Sequence, residues 1–186
     1  MATTQRGLTL DEFLALPEEK PALEYVDGVV SQKVAAEYEH SVLQVSLMIE
    51  LDRLLGPSGL VRVLPELRTT YGGRSYVPDV SVYRRERLPR GVRGQRVGEL
   101  LILPDLAIEI RSPGQSRTRL VERCQWYVDH GAQAALLVDD SDESIRIFRA
   151  NQAAVVRRRG DRIALHDVAP ELELDVDAVF SALDPD

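Results

Sequence analysis

The most constraining feature of the chain is a strand, a helix and a second strand that follow one another between residues 106 and 138. Leu106–Ile110 and Ala134–Val138 are short apolar runs, which are typical of strands buried in a sheet. The segment between them, Thr118–Val128, has its apolar residues at helical spacing. These residues are Leu120, Val121, Cys124, Tyr127 and Val128. Two strands joined by such a crossover are parallel and the connection is right-handed. The sequence therefore predicts a parallel strand pair.

The N-terminal part predicts a helix, a hairpin and a second helix. Thr9 and Glu12 form a capping-box pattern, which predicts a helix over Leu10–Leu16. Asp27-Gly28 separates the strand-like runs Leu23–Val26 and Val29–Val34, and this dipeptide is a strong hairpin signal. Apolar residues recur at helical spacing over Glu39–Leu55. This order defines an N-terminal helix-hairpin-helix element.

Further strands are predicted on both sides of the central unit. They cover Leu60–Leu64, Leu67–Tyr71, Val80–Tyr83, Ile145–Phe148 and Val155–Arg157, and a short strand and a helical turn close the chain. Leu88–Gly98 is rich in Gly, Pro and Arg and reads as a loop. The sequence shows no repeat and no linker. We therefore predict one α/β (α+β) domain over residues 1–186, with a mixed sheet flanked by helices.

Composition narrows the class of protein. The chain has 186 residues, 44% of them hydrophobic and 28% charged, as in globular proteins with a core of their own. No apolar run is long enough to span a membrane, and no secretory signal precedes the first helix. The single cysteine, Cys124, is expected to be a buried thiol. These features predict a cytoplasmic protein.

The basic residues are almost all arginine. The net charge of -7 argues against a general nucleic-acid coat protein, but 21 of the 23 basic residues are Arg and only Lys20 and Lys33 are Lys. Six arginines crowd into one segment, and these are Arg84, Arg85, Arg87, Arg90, Arg93 and Arg96. The cluster has two interpretations, a phosphate-binding surface or a surface that simply prefers Arg.

Two acids interrupt strand-like apolar runs. Asp79 lies in Tyr76-Val77-Pro78-Asp79-Val80, and Glu109 lies in Leu106–Ile110. A carboxylate in such a run is costly to desolvate unless it is paired or binds a cation. Two such acids on neighbouring strands form an oxygen-ligand site for Mg²⁺ or Mn²⁺, which phosphodiester hydrolysis uses. The alternative is that both acids are buried and paired with arginine. Asp105, at the strand entrance, is expected to be a solvated turn residue.

At these residues the chain resembles the PD-(D/E)XK nuclease superfamily, and within it the Uma-type restriction endonuclease family. The matching stretches are Leu23–Gly28, His40, Val77–Val80, Ile108–Pro113, the helix through Arg123 and Tyr127, and Gly131 before a hydrophobic strand. The resemblance covers roughly residues 8 to 148. It implies a restriction-endonuclease-like fold with Asp79 and Glu109 as metal-binding acids and Glu24 as a further acid near the metal.

The chain departs from this pattern at the lysine that assists catalysis in the family. Arg111 stands two residues after Glu109, and on the following helix Arg119 and Arg123 take the positions of an aspartate and the lysine. We therefore expect no lysine at the site, with Arg111 and Arg123 neutralising phosphate charge. Arginine cannot replace lysine in activating water, because it stays protonated.

Two hypotheses follow from this departure. The first is a metal-dependent DNA endonuclease, which acts on nucleic acid as a homodimer because cleaving a duplex needs two sites. The second is a nuclease-like protein without catalysis that acts as a binding or assembly module. His40, Arg119 and Tyr127 are candidate site-lining residues, although His40 at a helix start and Tyr127 at a core position also have structural interpretations.

Overall fold

The computed structural model describes residues 5–89 and 100–184. The first half of the chain forms β1 (Gln5–Arg6), α1 (Leu10–Leu14), β2 (Leu23–Val26), β3 (Val29–Gln32), α2 (Tyr38–Leu55), β4 (Val61–Pro65), β5 (Thr69–Tyr71), β6 (Arg74–Tyr76) and β7 (Val80–Arg84). The second half forms β8 (Leu106–Arg111), α3 (Arg117–Asp129), β9 (Ala134–Asp139), β10 (Ser144–Phe148), β11 (Val155–Arg158), β12 (Arg162–Ala164), β13 (Glu173–Asp175) and α4 (Val176–Phe180). None of the helices in these two ranges has the length and apolar character needed to cross a membrane.

A six-stranded mixed sheet forms the centre of the fold. Its strand order is β11-β10-β9-β8-β7-β4, and β8 pairs with β9 in parallel while the other four pairings are antiparallel. Leu106 lies opposite Ala134 and Arg111 lies opposite Asp139. The predicted parallel pair and the mixed sheet are therefore confirmed.

Helices cover both faces of this sheet. Leu43, Leu47 and Leu51 of α2 pack in one core cluster with Ile108 and Ile110. Alternate residues of a strand face the opposite side of the sheet. On that side, Ala107 of β8 and two residues of β9, Ala135 and Leu137, pack against α3. The α3 residues in this cluster include Leu120, Cys124 and Tyr127. Cys124 is a buried free thiol, as predicted. Because Glu109 shares the side of Ala107, its carboxylate points towards α3.

A second sheet places the N-terminal hairpin beside the central sheet. Its order is β1-β3-β2-β6-β5, and Tyr25 of β2 pairs with Ser75 of β6. The turn at Asp27-Gly28 has φ values of 50° and 82°, the left-handed conformation that a two-residue hairpin requires and that this dipeptide adopts easily. The hairpin thereby brings β2 and the exit of β3 next to the start of β7.

Several expectations differ from the structure in detail. The predicted strand over Leu67–Tyr71 is limited to β5, while β6 and β12, three residues each, are not evident in the sequence. Of the loop Leu88–Gly98, residues 90–98 lie outside the described residues, and with them lie Arg90, Arg93 and Arg96.

The expectation that Asp105 is a solvated turn residue is wrong. Its side chain is 1% exposed, it lies 2.7 Å from Arg87 Nη1, and it accepts a hydrogen bond from the Arg84 backbone N at 2.8 Å. The Arg84 and Arg85 side chains donate to backbone carbonyls. Asp105 thus neutralises part of the arginine cluster, and these three arginines hold segments of the fold together.

Candidate functional site

Asp79 lies immediately before β7, next to the strand that carries Glu109. Val80 pairs with Ile108, so continuing this antiparallel register places Asp79 opposite Glu109. Asp79 is buried, and its Oδ2 accepts a hydrogen bond from the backbone N of Ile110 at 2.6 Å. Its backbone carbonyl accepts from Gln44 Nε2 at 2.8 Å. Contacts from β8 and α2 therefore fix this carboxylate at the edge between the two sheets.

A lysine contacts Asp79, contrary to the expectation that the site has none. Lys33, just after β3, places its Nζ 2.7 Å from Asp79 Oδ1, and the lysine side chain is 9% exposed. Its backbone N donates to Ala22 O at 2.8 Å, which continues the hairpin pairing and sets the direction of the side chain. The only signal in the sequence is compositional, because Lys33 is one of two lysines in a chain that otherwise uses Arg.

His40 contacts the same carboxylate oxygen from the first turn of α2. Its Nε2 lies 3.1 Å from Asp79 Oδ1, and its Nδ1 lies 3.0 Å from Ser112 Oγ. In the neutral ring, an Nε2–H donating to Asp79 leaves Nδ1 to accept from the serine hydroxyl. His40 thus ties α2 to Asp79 and to the segment after β8, and it lies at the site rather than in solvent.

Glu109 is buried between β8 and α3. Its Oε1 accepts a hydrogen bond from Tyr127 Oη at 2.8 Å, and its Oε2 accepts from Arg123 Nη1 at 3.2 Å. Arg123 and Tyr127 are four residues apart and lie on one face of α3, which explains why both reach the same carboxylate.

Arg123 also binds Glu24 of β2. The guanidinium donates to Glu24 Oε1 at 3.0 Å and to Oε2 at 2.5 Å, and Glu24 Oε1 accepts from the Val77 backbone N at 3.0 Å. The guanidinium carbon lies 4.5 Å from the centre of the Tyr76 ring. Arg123 is therefore held by two acids and an aromatic face, an arrangement that its planar fork favours.

Arg111 and Arg119 do not join these acids. The guanidinium of Arg111 donates to Asp139 at 3.1 Å, to Ser141 Oγ at 3.2 Å and to Gln115 O at 3.4 Å. The Arg119 side chain is exposed, and in the described part of the chain it forms no ion pair. Arg111 lies two residues after Glu109 and therefore on the same face of β8. Its ion pair with Asp139 of β9, however, holds the guanidinium away from Glu109.

The two acids of the site titrate differently. Burial alone would raise the pKa of Asp79, but the hydrogen bond from His40 and the charge of Lys33 outweigh it and lower this pKa. Burial raises the pKa of Glu109 to about 7. The positive charge of Arg123 opposes this increase, and the negative charges of Asp79 and Glu24 add to it. Asp79 is therefore ionised at neutral pH, whereas Glu109 is close to half protonated.

The pKa of Glu109 predicts how stability depends on pH. The folded pKa of about 7 exceeds the ordinary glutamate value of 4.5 that applies in the unfolded chain. The stability that this shift contributes is therefore fully present below pH 4.5 and is lost as the pH rises through 7. The Glu109→Gln variant lacks this titration. In urea unfolding with a chelator present, we expect its free energy of unfolding to gain up to about 3 kcal/mol relative to wild type between pH 4.5 and pH 8.

The quantity to follow with pH is the free energy of unfolding of the variant minus that of wild type. The contributions of the other titrating groups cancel in this difference, because both proteins contain them. A difference that does not change between pH 4.5 and pH 8 for Glu109→Gln would contradict the raised pKa.

The donor chemistry of the site fits a hard divalent cation. Asp79 and Glu109 offer buried carboxylate oxygens, and Asp79 Oδ1 contacts Lys33 Nζ at 2.7 Å and His40 Nε2 at 3.1 Å. Within residues 5–89 and 100–184, no three His, Cys, Asp or Glu side chains converge as one ligand set. Mg²⁺ commonly uses only one or two protein carboxylates and completes its shell with water and phosphate, so two acids suffice.

Comparisons with known proteins agree with this architecture. The chain matches the model of the Uma2 family, described as "Putative restriction endonuclease", over residues 10–177. It is similar to the crystal structure of a "putative nuclease belonging to DUF820" from Anabaena variabilis ATCC 29413, with 36% sequence identity and a TM-score of 0.89. That similarity covers 95% of this chain and 99% of the other. A comparison with curated proteins gives no significant match.

A mixed sheet flanked by helices, with buried acids at the start of β7 and on β8, defines the class as a nuclease fold. The matched model spans well over half of the sequence. The chain belongs to the Uma2 family, and the resemblance to restriction endonucleases is confirmed at this level.

Proposed function

We propose that the protein is a metal-dependent endonuclease that hydrolyses phosphodiester bonds in DNA. Membership of the Uma2 family supports a nuclease. The observation that carries the proposal of a metal site is the pair of buried carboxylates, Asp79 and Glu109, which lie opposite each other on adjacent strands. Burying two acids side by side is unfavourable unless cations balance them. Lys33 and Arg123 supply positive charge in the free protein, and a divalent ion would add to it.

Asp79 and Glu109 are the residues that would hold Mg²⁺ or Mn²⁺. When bound, the ion supplies a water of lowered pKa and neutralises charge on the phosphate. Tyr127 and Arg123 orient the Glu109 carboxylate through their hydrogen bonds. Glu24 binds Arg123 through both carboxylate oxygens and accepts from the Val77 backbone N, so we assign to Glu24 the positioning of Arg123 beside Glu109.

Calorimetric titration of Mn²⁺ tests the metal site without a choice of substrate. We expect wild type to bind one Mn²⁺ and Asp79→Ala to show no binding, because the variant loses the carboxylate whose pKa is lowered and which is therefore ionised at neutral pH. The control is Asp52→Ala, which removes an exposed acid of α2 and should bind as wild type does. Wild type without Mn²⁺ binding at saturating concentration would contradict the proposed metal site.

Duplex DNA is the substrate proposed here, and a homodimer is the form in which two sites would cleave its two strands. The matching assay is nicking and linearisation of plasmid DNA in Mg²⁺ or Mn²⁺, stopped by a chelator. If the protein nicks the plasmid but fails to linearise it at every protein concentration tested, the proposed dimer is contradicted. The proposed nuclease activity is not.

The alternative of a nuclease-like binding module loses its main support. That alternative rests on a site that contains acids but no lysine, whereas Lys33 places a lysine beside Asp79 from another part of the chain.

A further inference from the structure

The ammonium of Lys33 is buried without a full set of partners. Its Nζ lies 2.7 Å from Asp79 Oδ1 and 3.5 Å from Glu66 Oε1, and it has no hydrogen bond of regular geometry among the described residues. An ammonium carries three protons that can each be donated. A buried group with unused donors close to two acids is suited to bind an oxyanion that enters the site.

We propose that Lys33 is a catalytic residue of this nuclease: its ammonium balances Asp79 in the free protein and contacts the scissile phosphate during cleavage. The inference rests on the proposed function. Its distinctive element is the origin of the lysine, which comes from the connection between β3 and α2 rather than from β8 or α3. The positions on those elements are occupied by Arg111 and Arg123, which are already bound to acids.

The Lys33 side chain borders a cleft, although its Nζ faces Asp79 and has almost no surface open to solvent. The cleft has a volume of about 1050 Å³ and is also lined by Phe13 and Leu16 from the α1 region, Arg68, and the segment 34–36. Asp79 and Glu109 lie behind Lys33 rather than in this lining. In the proposed reaction, a phosphodiester held in the cleft would draw the ammonium from Asp79 to a phosphate oxygen.

The chemistry assigned to Lys33 is electrostatic. In the hydrolysis, the oxygen of a water forms a bond to phosphorus and the bond from phosphorus to the leaving sugar oxygen breaks. The water releases one proton to solvent, and the leaving oxygen takes one up. Lys33 keeps its protons throughout and stabilises the negative charge that develops on the phosphate oxygens.

The ammonium contacts Asp79, which is also one of the two acids that would hold a metal ion. Removing the ammonium should therefore strengthen metal binding, since a competing positive charge is lost, and weaken catalysis, since a phosphate contact is lost. A purely structural role would not produce effects of opposite sign in these two measurements.

The test measures Mn²⁺ affinity by calorimetry and single-turnover DNA cleavage in saturating Mn²⁺ for wild type, Lys33→Met, Lys33→Gln and Arg162→Met. For Lys33→Met we expect Mn²⁺ binding to be about 10-fold tighter and cleavage to be about 10²- to 10³-fold slower. Arg162→Met removes an exposed positive charge of β12, outside the cleft, and should resemble wild type in both measurements. Lys33→Gln keeps a polar group beside Asp79 and should change in the same directions as Lys33→Met.

Unchanged or weaker Mn²⁺ binding in the Lys33 variants, or cleavage within threefold of wild type, overturns the inference. Asp79→Asn, assayed in parallel, separates this failure from that of the proposed function. If Asp79→Asn abolishes cleavage while Lys33→Met cleaves like wild type, only the role of Lys33 is wrong. If cleavage does not depend on Asp79, the nuclease site itself is wrong and the inference falls with it.

Discussion

We expect Asp79→Asn to lower metal-dependent DNA cleavage by on the order of 10³-fold. The substitution keeps the size of the side chain but removes the carboxylate that is ionised at neutral pH and faces Glu109. A metal ion in such a site contributes several kcal/mol to stabilising the transition state. At about 1.36 kcal/mol per tenfold change, its loss corresponds to the expected decrease in rate.

Asp79→Asn is also expected to destabilise the fold, because it leaves the Lys33 ammonium buried without its carboxylate. Assays should therefore be run well below the melting temperature of each variant. The double variant Asp79→Asn/Lys33→Met removes both charges and should recover stability while remaining inactive. Cleavage by Asp79→Asn within tenfold of wild type would contradict the site.

The largest stability effect is expected for Arg123→Met. Arg123 is the cation that binds both Glu24 and Glu109, and all three side chains are largely buried. Removing one partner of a buried ion pair typically costs about 3–5 kcal/mol, because the remaining charge is left uncompensated. We expect a loss of this size in the free energy of unfolding, measured by urea denaturation at pH 8 with a chelator present.

A matched control lies on the same helix. Arg119→Met removes an exposed guanidinium one turn earlier and should change the free energy of unfolding by less than about 0.5 kcal/mol. Adding Glu24→Gln to Arg123→Met should restore part of the lost stability, since one unpaired acid is then removed. A loss below about 1 kcal/mol for Arg123→Met would mean that the buried acids are balanced in another way.

The sequence predicts the centre of the fold because its signals there are local and strong. The β8-α3-β9 unit combines two apolar runs with one clear helical period, and the Asp27-Gly28 turn is specified by its own two residues. The strands β6 and β12 are not predicted, because three residues are too few to show an alternating pattern. The burial of Asp105 is not visible in the sequence, because it depends on Arg87, which belongs to another segment.

In the candidate site, too, the residues with a local sequence signal are predicted, and those placed by packing between distant segments are not. Asp79 and Glu109 stand out because each acid interrupts an apolar run, and their neighbouring strands bring them together. Lys33 does not stand out, because its position beside Asp79 depends on how the hairpin packs against β6 and β7. Arg111 was expected at the site from strand alternation alone, and its partner Asp139 on the adjacent strand is not visible from spacing.

The pairing of the buried acids with Lys33 and Arg123 has a consequence for how the protein is made and maintained. In proteins such as zinc fingers, the ligands repel or remain unsatisfied until the metal arrives, so the fold depends on it. Here the chain carries its own counterions, and the polypeptide can reach and keep its native state when divalent ions are scarce. Under the proposed function, the supply of metal would set how many molecules are active, while the number of folded molecules would stay the same.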